Sequence, residues 1–289
     1  MKLPVIVVHG GATVFDEKYH DEILVAIKTA AERGMCALEN GGSALDAVET
    51  AIWVLEETEL FTAGRGASRN LDDEIELDAV IMDGDRLESG AVMAVNDIVH
   101  PISLARYVLE RTSNSQIVGS GANRLYKQMI ADGYREETHV HRTERPQISR
   151  ECDTVGAVAV DETGRIASAS STSGWPGKLP GRVGDSPIVG AGVYANDVAG
   201  VSCTGKGEQI LRITMGRIAV YHVEQGLSVQ ESGTIVMSEL RQKTSGEAGL
   251  ILVDNQGEVA VQFDTPHMPV SIFAKGMDEP YVAMKPSWP

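Results

Sequence analysis

Residues 3–8 form an unbroken apolar run, rich in β-branched side chains, that stops at His9-Gly10-Gly11-Ala12. A short continuous run closed by glycines predicts a buried strand entering a turn whose backbone can approach a ligand. The period then changes. Ile23, Ile27, Ala30, Ala31, Met35 and Leu38 keep helical spacing as far as the stop signal Asn40-Gly41-Gly42, and Leu45, Val48, Ile52 and Leu55 form a second stripe. Together they predict paired helices covering a sheet. Alternation over 74–82 and 87–95, joined by Asp83-Gly84-Asp85, predicts a hairpin, and 101–112, with Pro101 at its start, and 121–133 predict helices. Residues 134–153 lose all periodicity and predict a linker. Order resumes at Thr154, where 154–160 and 165–170 flank Asp161-Glu162-Thr163-Gly164 as a second hairpin. Residues 171–192 are rich in Gly and Pro and carry few regular signals. Beyond them, 198–203 predicts a strand, 208–224 and 229–243 helices, and 250–253 and 259–263 closing strands. Strands and helices come in blocks in both halves, an α+β pattern.

Composition narrows the partners. The 289 residues hold 41 Asp+Glu against 25 Lys+Arg, a net charge of −16, and 43% are hydrophobic, which excludes a mainly disordered chain. Such a charge repels phosphate backbones and anionic membranes, so neither nucleic acid nor membrane is an expected partner. Residues 1–153 hold 27 acids and 15 bases, whereas 154–289 hold 14 and 10, so the linker also separates two unlike surfaces. Length allows two domains or one layered fold. Cys36, Cys152 and Cys203, an odd number at wide spacing, suit a reducing cytoplasmic setting. The run at 3–8 is too short for a secretion signal or a membrane span.

Several patterns compete as the seat of chemistry. Gly200-Val201-Ser202-Cys203-Thr204-Gly205-Lys206-Gly207 fits G-x-x-x-x-G-K between a strand and a helix, but Gly207 stands where a Mg²⁺-binding hydroxyl belongs. A phosphate-loop NTPase is therefore a remote alternative. His139 and His141 form H-x-H in the linker without other ligands at metal spacing, and His9 reads equally as catalytic or as a strand-end hydrogen-bonding residue. No G-x-S-x-G elbow supports a serine triad. What remains is the junction at Asp153-Thr154, where a polar linker meets a β-branched hydroxyl residue opening a strand. Thr154 reads either as a nucleophile or simply as a good first strand residue.

Thr154-Val155-Gly156-Ala157-Val158, Leu179-Pro180-Gly181-Arg182-Val183-Gly184-Asp185-Ser186-Pro187 and Cys203-Thr204-Gly205-Lys206-Gly207-Glu208 decide between these. With His9-Gly10-Gly11-Ala12, Glu76-Leu77-Asp78-Ala79 and Ile81-Met82-Asp83-Gly84, they resemble the plant-type L-asparaginase and isoaspartyl peptidase family of N-terminal nucleophile hydrolases across nearly the whole chain. The resemblance implies a single four-layer αββα fold over 1–289, cut by itself between Asp153 and Thr154 into an α subunit (1–153) and a β subunit (154–289). It implies a pair of αβ units and small-molecule substrates, L-asparagine and β-aspartyl peptides. It places Thr154 as nucleophile, Thr172 as a second hydroxyl beside it, and Thr204 and Gly205 at the oxyanion and substrate side. Arg182 would hold the α-carboxylate of an aspartyl group and Asp185 its ammonium, with Gly205 and Gly207 presenting backbone to the same ligand. Read without the flanking motifs, Arg182 and Asp185 are a surface ion pair.

Departures from the family pattern carry consequences. Thr62 stands where the family commonly has an oxyanion-region Asn, Ser173 replaces a Gly after the second threonine, and Asp153 replaces the usual Gly before the nucleophile. The Asp-Thr junction resembles that of aspartylglucosaminidases, which leaves such a hydrolase, or an uncleaved aspartate-binding precursor, as alternatives. No cofactor is implied. The backbone of Leu55, Glu56, Thr58, Phe61, Ala63 and Arg65 resembles a family loop that binds a structural Na⁺ through carbonyl oxygens.

Overall fold

The computed structural model describes residues 2–138 and 154–288. His139, His141 and Asp153, with the rest of 139–153, lie outside the described residues. Strand β1 (Val5–His9) leads to helices α1 (His20–Glu39) and α2 (Ala44–Glu57), then the hairpin β2 (Leu77–Asp83) and β3 (Glu88–Val95). Next come α3 (Pro101–Arg111), β4 (Gln116–Val118), α4 (Gly119–Ala131), β5 (Val155–Val160), β6 (Ile166–Thr172), β7 (Val193–Ala195) and β8 (Ala199–Gly205). The chain ends with α5 (Gly207–Ile213), α6 (Met215–Glu224), α7 (Val229–Thr244), β9 (Ala248–Asp254), β10 (Val259–Phe263), β11 (Val270–Ala274) and β12 (Tyr281–Ala283).

Two sheets stack face to face. The larger runs β12-β11-β1-β5-β6-β2-β3-β4 and the smaller β10-β9-β8-β7. Residues after 153 supply four strands of the larger sheet, with β5 and β6 wedged between β1 and β2, so one sheet is built from both halves of the chain. Period-2 alternation assigns the faces. Ile6, Val8, Leu77, Ala79, Val155 and Ala157 pack under α1–α4, whereas Val5, Val7, Val80, Val158 and Val160 meet Ile251, Val253 and Val261 of the smaller sheet. Val201, Leu250 and Leu252 on the outer face of that sheet pack beneath the later helices with Ile210, Val220 and Val236. Three apolar interfaces make four layers, the αββα sandwich, and each fully buried aliphatic side chain in them contributes about 1.5–3 kcal/mol. Capping boxes at Ser43/Asp46 and Ser228/Glu231 fix where α2 and α7 begin.

The expected helix over 208–224 is instead two. Thr214 takes a left-handed φ of 49°, and the freed N–H groups of Gly216 and Arg217 bond to the carbonyls of Ala191 and Gly190. A loop thus supplies acceptors that a continuous helix would have supplied itself. Strands β4, β7, β11 and β12 were not expected from the pattern; three of them are only three residues long. The predicted linker begins later than residue 134, because Tyr134 donates to Glu110 and Arg135 to Glu49. Among the described residues no helix is long and apolar enough to cross a membrane.

Candidate functional site

Between the sheets, the apolar filling gives way at one end to hydroxyls and charges. Register explains which side chains meet there. His9 lies opposite Gly156, Val155 opposite Ser171, and Asp78 opposite Thr172. Continuing the ladder by one residue sets Thr154 beside Thr172, on the face that looks toward β8. Thr154, at 2% exposure, lies immediately before β5, and its Oγ1 lies 2.9 Å from Ser186 Oγ. Ser186 is fixed by its own carbonyl, which accepts the Ser170 hydroxyl at 2.8 Å. The hydroxyl of Thr172 accepts the Gly174 N–H at 2.9 Å, and that of Thr204 the Ala12 N–H at 3.2 Å. The latter bond joins the turn after β1 to the other sheet.

His9 closes the opposite side. Gly11 N–H donates to its Nδ1 at 3.2 Å, leaving Nε2 to donate to Ser202 Oγ at 3.0 Å. Burial pushes its pKa down to about 3, against the Thr154 backbone, which favours the charged ring. His9 is thus neutral at physiological pH, and the strand-end hydrogen-bonding reading describes it. Gly156 is required beneath it, since a Cβ there would sit 2.1 Å from both His9 Nε2 and Ser202 Oγ.

The charged part comes from the loop between β6 and β7. Arg182 does not pair with Asp185. Its Nε and Nη2 donate to the two carboxylate oxygens of Glu208, each at 2.9 Å, and its guanidinium lies 3.8 Å over the Trp175 ring. The surface ion pair of Arg182 with Asp185 is thereby replaced, and one fork of the guanidinium is already engaged. Asp185 is buried, with Oδ2 lacking a hydrogen-bond partner among the described residues. Burial, aided by Glu208, pushes its pKa up to about 7, while its own backbone N–H and Arg182 oppose the shift. Both side chains converge on Gly207, where a Cβ would stand 2.6 Å from Asp185 Oδ1 and 3.0 Å from Arg182 Nη2. Gly205, at φ 133°, turns the chain between them and β9.

The phosphate-loop reading does not survive this geometry. Residues 200–205 are extended strand, paired with β9 through to Gly205 opposite Ala248, so the segment does not curl around a phosphate. Lys206 is spent on Glu247 at 3.1 Å.

Thr62 is buried in the loop after α2, and its carbonyl accepts both the N–H (2.6 Å) and the hydroxyl (2.9 Å) of Ser173, which ties that loop to the end of β6. In the same loop, backbone carbonyls crowd two glycines. A Cβ at Gly64 would lie 2.2 Å from Glu56 O, and one at Gly66 2.1 Å from Phe61 O and 3.2 Å from Glu59 O. Both positions therefore require glycine, and the Glu56 and Phe61 carbonyls among the expected cation ligands pack against them. Of the other expected ligands, Leu55 O already accepts two bonds from Thr58, and Ala63 O one from Gly66. No group of three or more His, Cys, Asp or Glu side chains is placed to hold a metal among the described residues.

Ser186, Glu208 and Trp175 are neighbours of the expected site that sequence reasoning did not single out. Ser186 had a signal, its place directly after Asp185. Glu208 likewise directly follows Gly207, but its pairing with Arg182, 26 positions away, had no signal in the sequence.

Known proteins resemble this chain over most of its length. The asparaginase family model matches residues 2–152 and 126–282. An isoaspartyl peptidase/L-asparaginase of Bos taurus is 40% identical, covering 92% of each chain, and one of Danio rerio is 39% identical, covering 92% of this chain and 91% of its own. A plant-type L-asparaginase of Pyrococcus abyssi is 38% identical over 95% of this chain and 98% of its own. With both halves of the sandwich matched by one family model and full-length relatives near 40% identity, the chain belongs to the asparaginase family.

Proposed function

We propose that the protein is an autoprocessing threonine amidohydrolase that converts L-asparagine to L-aspartate and ammonia and hydrolyses β-aspartyl dipeptides. The observation that carries this reading is the buried Thr154 hydroxyl, 2.9 Å from Ser186, at the head of a strand and in the same inter-sheet end as Arg182 and the open Asp185 carboxylate. Relatives named isoaspartyl peptidase/L-asparaginase support the substrate class.

The chemistry follows from the residue types. In the precursor, Thr154 Oγ attacks the Asp153 carbonyl, the acyl group passes from N to O, and water releases Thr154 as a new amino terminus. Its α-amino group, with an ordinary pKa of about 7.7–8.0, is then neutral often enough near pH 7 to take the hydroxyl proton. Thr154 Oγ attacks the side-chain carbonyl of the substrate, ammonia or an amine leaves with a proton, and water hydrolyses the aspartyl ester. The Thr204 hydroxyl and the Gly205 backbone are the groups assigned to the oxyanion. Thr172 and Ser186 orient the nucleophile, and Asp185 and the unengaged edge of Arg182 hold the amino acid head. A Na⁺ bound by the carbonyls of Glu56 and Phe61 would brace the Thr62 loop without entering the reaction. Two such αβ units form the assembly.

Denaturing electrophoresis and an ammonia assay test this directly. Two bands divided before Thr154, with ammonia released from asparagine, are expected. Thr154→Ala should give one uncut chain and no ammonia above the buffer blank. A wild-type protein that stays in one piece and releases no ammonia would overturn the reading.

A further inference from the structure

The turn that carries Arg182 rests on a buried ammonium. Lys178 is 1% exposed, and its stem passes Gly174, where φ is 75° and a Cβ would stand 3.1 Å from Lys178 Cδ. Its Nζ donates to the Arg182 carbonyl at 3.2 Å and to the Glu76 carbonyl at 3.3 Å, and lies 3.6 Å from Glu76 Oε2. Glu76 in turn accepts the Gly181 N–H with both carboxylate oxygens, at 2.9 and 3.0 Å. The N–H that begins the Gly181–Arg182 pair and the C=O that ends it are thus both held by one ion pair. Behind it lies Asp78, buried, with Oδ1 on the Ala94 N–H at 2.7 Å and Oδ2 without a hydrogen-bond partner among the described residues. Burial raises the Asp78 pKa to about 6, and Lys178 is the chief charge opposing that rise.

A buried ammonium is costly unless its partners are fixed, so this cluster does more than fill space. Trp175 sets the plane of the Arg182 guanidinium and Glu208 one edge of it. Neither fixes the backbone from which the side chain grows. We propose that Lys178 and Glu76 are positioning residues of the carboxylate subsite: by clamping the Gly181–Arg182 backbone they set where the guanidinium meets the α-carboxylate of an aspartyl substrate. This rests on the proposed role of Arg182. Among the described residues neither side chain hydrogen-bonds to Thr154 or Ser186, so the clamp acts on binding and leaves the nucleophile alone.

Lys178→Met keeps the stem and removes the ammonium. The protein should still divide into two chains, its kcat on asparagine should stay within about threefold, and KM and the calorimetric Kd for L-aspartate should both rise by about tenfold or more, the loss expected of a charge-assisted hydrogen bond. Glu76→Gln, which keeps one acceptor for Gly181, should move KM and Kd in the same direction by a smaller factor and serves if the methionine variant does not fold. A fall in kcat at unchanged KM and Kd, or no change in any of the three, overturns the proposal. Wild-type protein that binds aspartate but releases no ammonia overturns the enzyme reading instead, and the clamp is then judged by Kd alone.

Discussion

The two walls of the inter-sheet site are built on different physics. One is neutral: Thr154 bonds to Ser186, His9 to Ser202, and Thr172 accepts the Gly174 N–H, and all but Ser186 stand in or beside strands whose register is set by the sheet. The other is charged: Arg182, Asp185 and Glu208, backed by Lys178 and Glu76, stand on loops and at helix α5, and each buried charge needs a partner. A hydroxyl can be buried at the end of a strand for the cost of one bond, whereas a buried carboxylate shifts its pKa or waits for a ligand. Asp185 is the group that waits. Its Oδ2 has no hydrogen-bond partner among the described residues, and burial holds its pKa near 7. The neutral wall therefore has its hydrogen bonds in the free protein, whereas under the proposed function the charged wall is completed by a substrate ammonium.

Asp185→Asn breaks the charged wall and should have the largest effect after loss of the nucleophile. Removing the partner of a desolvated ammonium costs about 3–5 kcal/mol, or about two to four orders of magnitude in kcat/KM for asparagine. The same change should stabilise the free protein. The Asp185 pKa is raised from 3.8 to about 7 on folding, so the folded state holds the extra proton between these values. Its contribution is fully present below the unfolded pKa and is lost as pH rises through about 7, with a slope of about 1.4 kcal/mol per pH unit. Melting of the variant at pH 8, compared with wild type at pH 8 and pH 5, measures this; a variant less stable at pH 8 would place the burial cost elsewhere. In wild type, KM should rise as pH falls below 7, because the ammonium must displace a proton from Asp185.

Gly207→Ala tests whether the two charged side chains share one small space. A Cβ would stand 2.6 Å from Asp185 Oδ1 and 3.0 Å from Arg182 Nη2, a contact relieved only by moving one of them. KM should rise by about tenfold or more, a cost of about 1–3 kcal/mol, while self-cleavage, which uses only Thr154 and its neighbours, proceeds. Slowed cleavage in this variant, read by the ratio of cut to uncut chain over time, would show that the walls are coupled.

The difference between the walls is also a difference in what the sequence discloses. The junction at Thr154 is visible because an apolar strand follows twenty unpatterned residues, but its role as nucleophile came from the motif resemblance; that Thr154 shares the face of Val158 and Val160 follows by alternation. The pattern also gave the α+β blocks, whereas the four-layer arrangement was implied only by the family resemblance. The charged wall was visible only as separate motifs, because the pairings of Glu208 with Arg182 and of Glu76 with Gly181 are made by tertiary folding across 26 and 105 positions. Thr214 shows the limit within an element. Nothing in Ile213-Thr214-Met215 stops a helix; the carbonyls of Gly190 and Ala191, offered from another loop, do.

The smallest effect is expected at the neutral wall. Ser186→Ala removes the hydroxyl 2.9 Å from Thr154 Oγ1 and leaves the backbone carbonyl that anchors Ser170 in place. A neutral hydrogen bond contributes about 0.5–1.5 kcal/mol net, so kcat should fall by about twofold to tenfold with KM nearly unchanged. The sign of the pH response separates two roles. If Ser186 accepts from Thr154, its loss frees a rotamer and lowers kcat equally at every pH. If it donates, it stabilises the oxygen as its proton leaves, and the kcat profile of the variant should shift toward higher pH. A fall in kcat beyond a hundredfold would mean that this wall, like the charged one, depends on a single group.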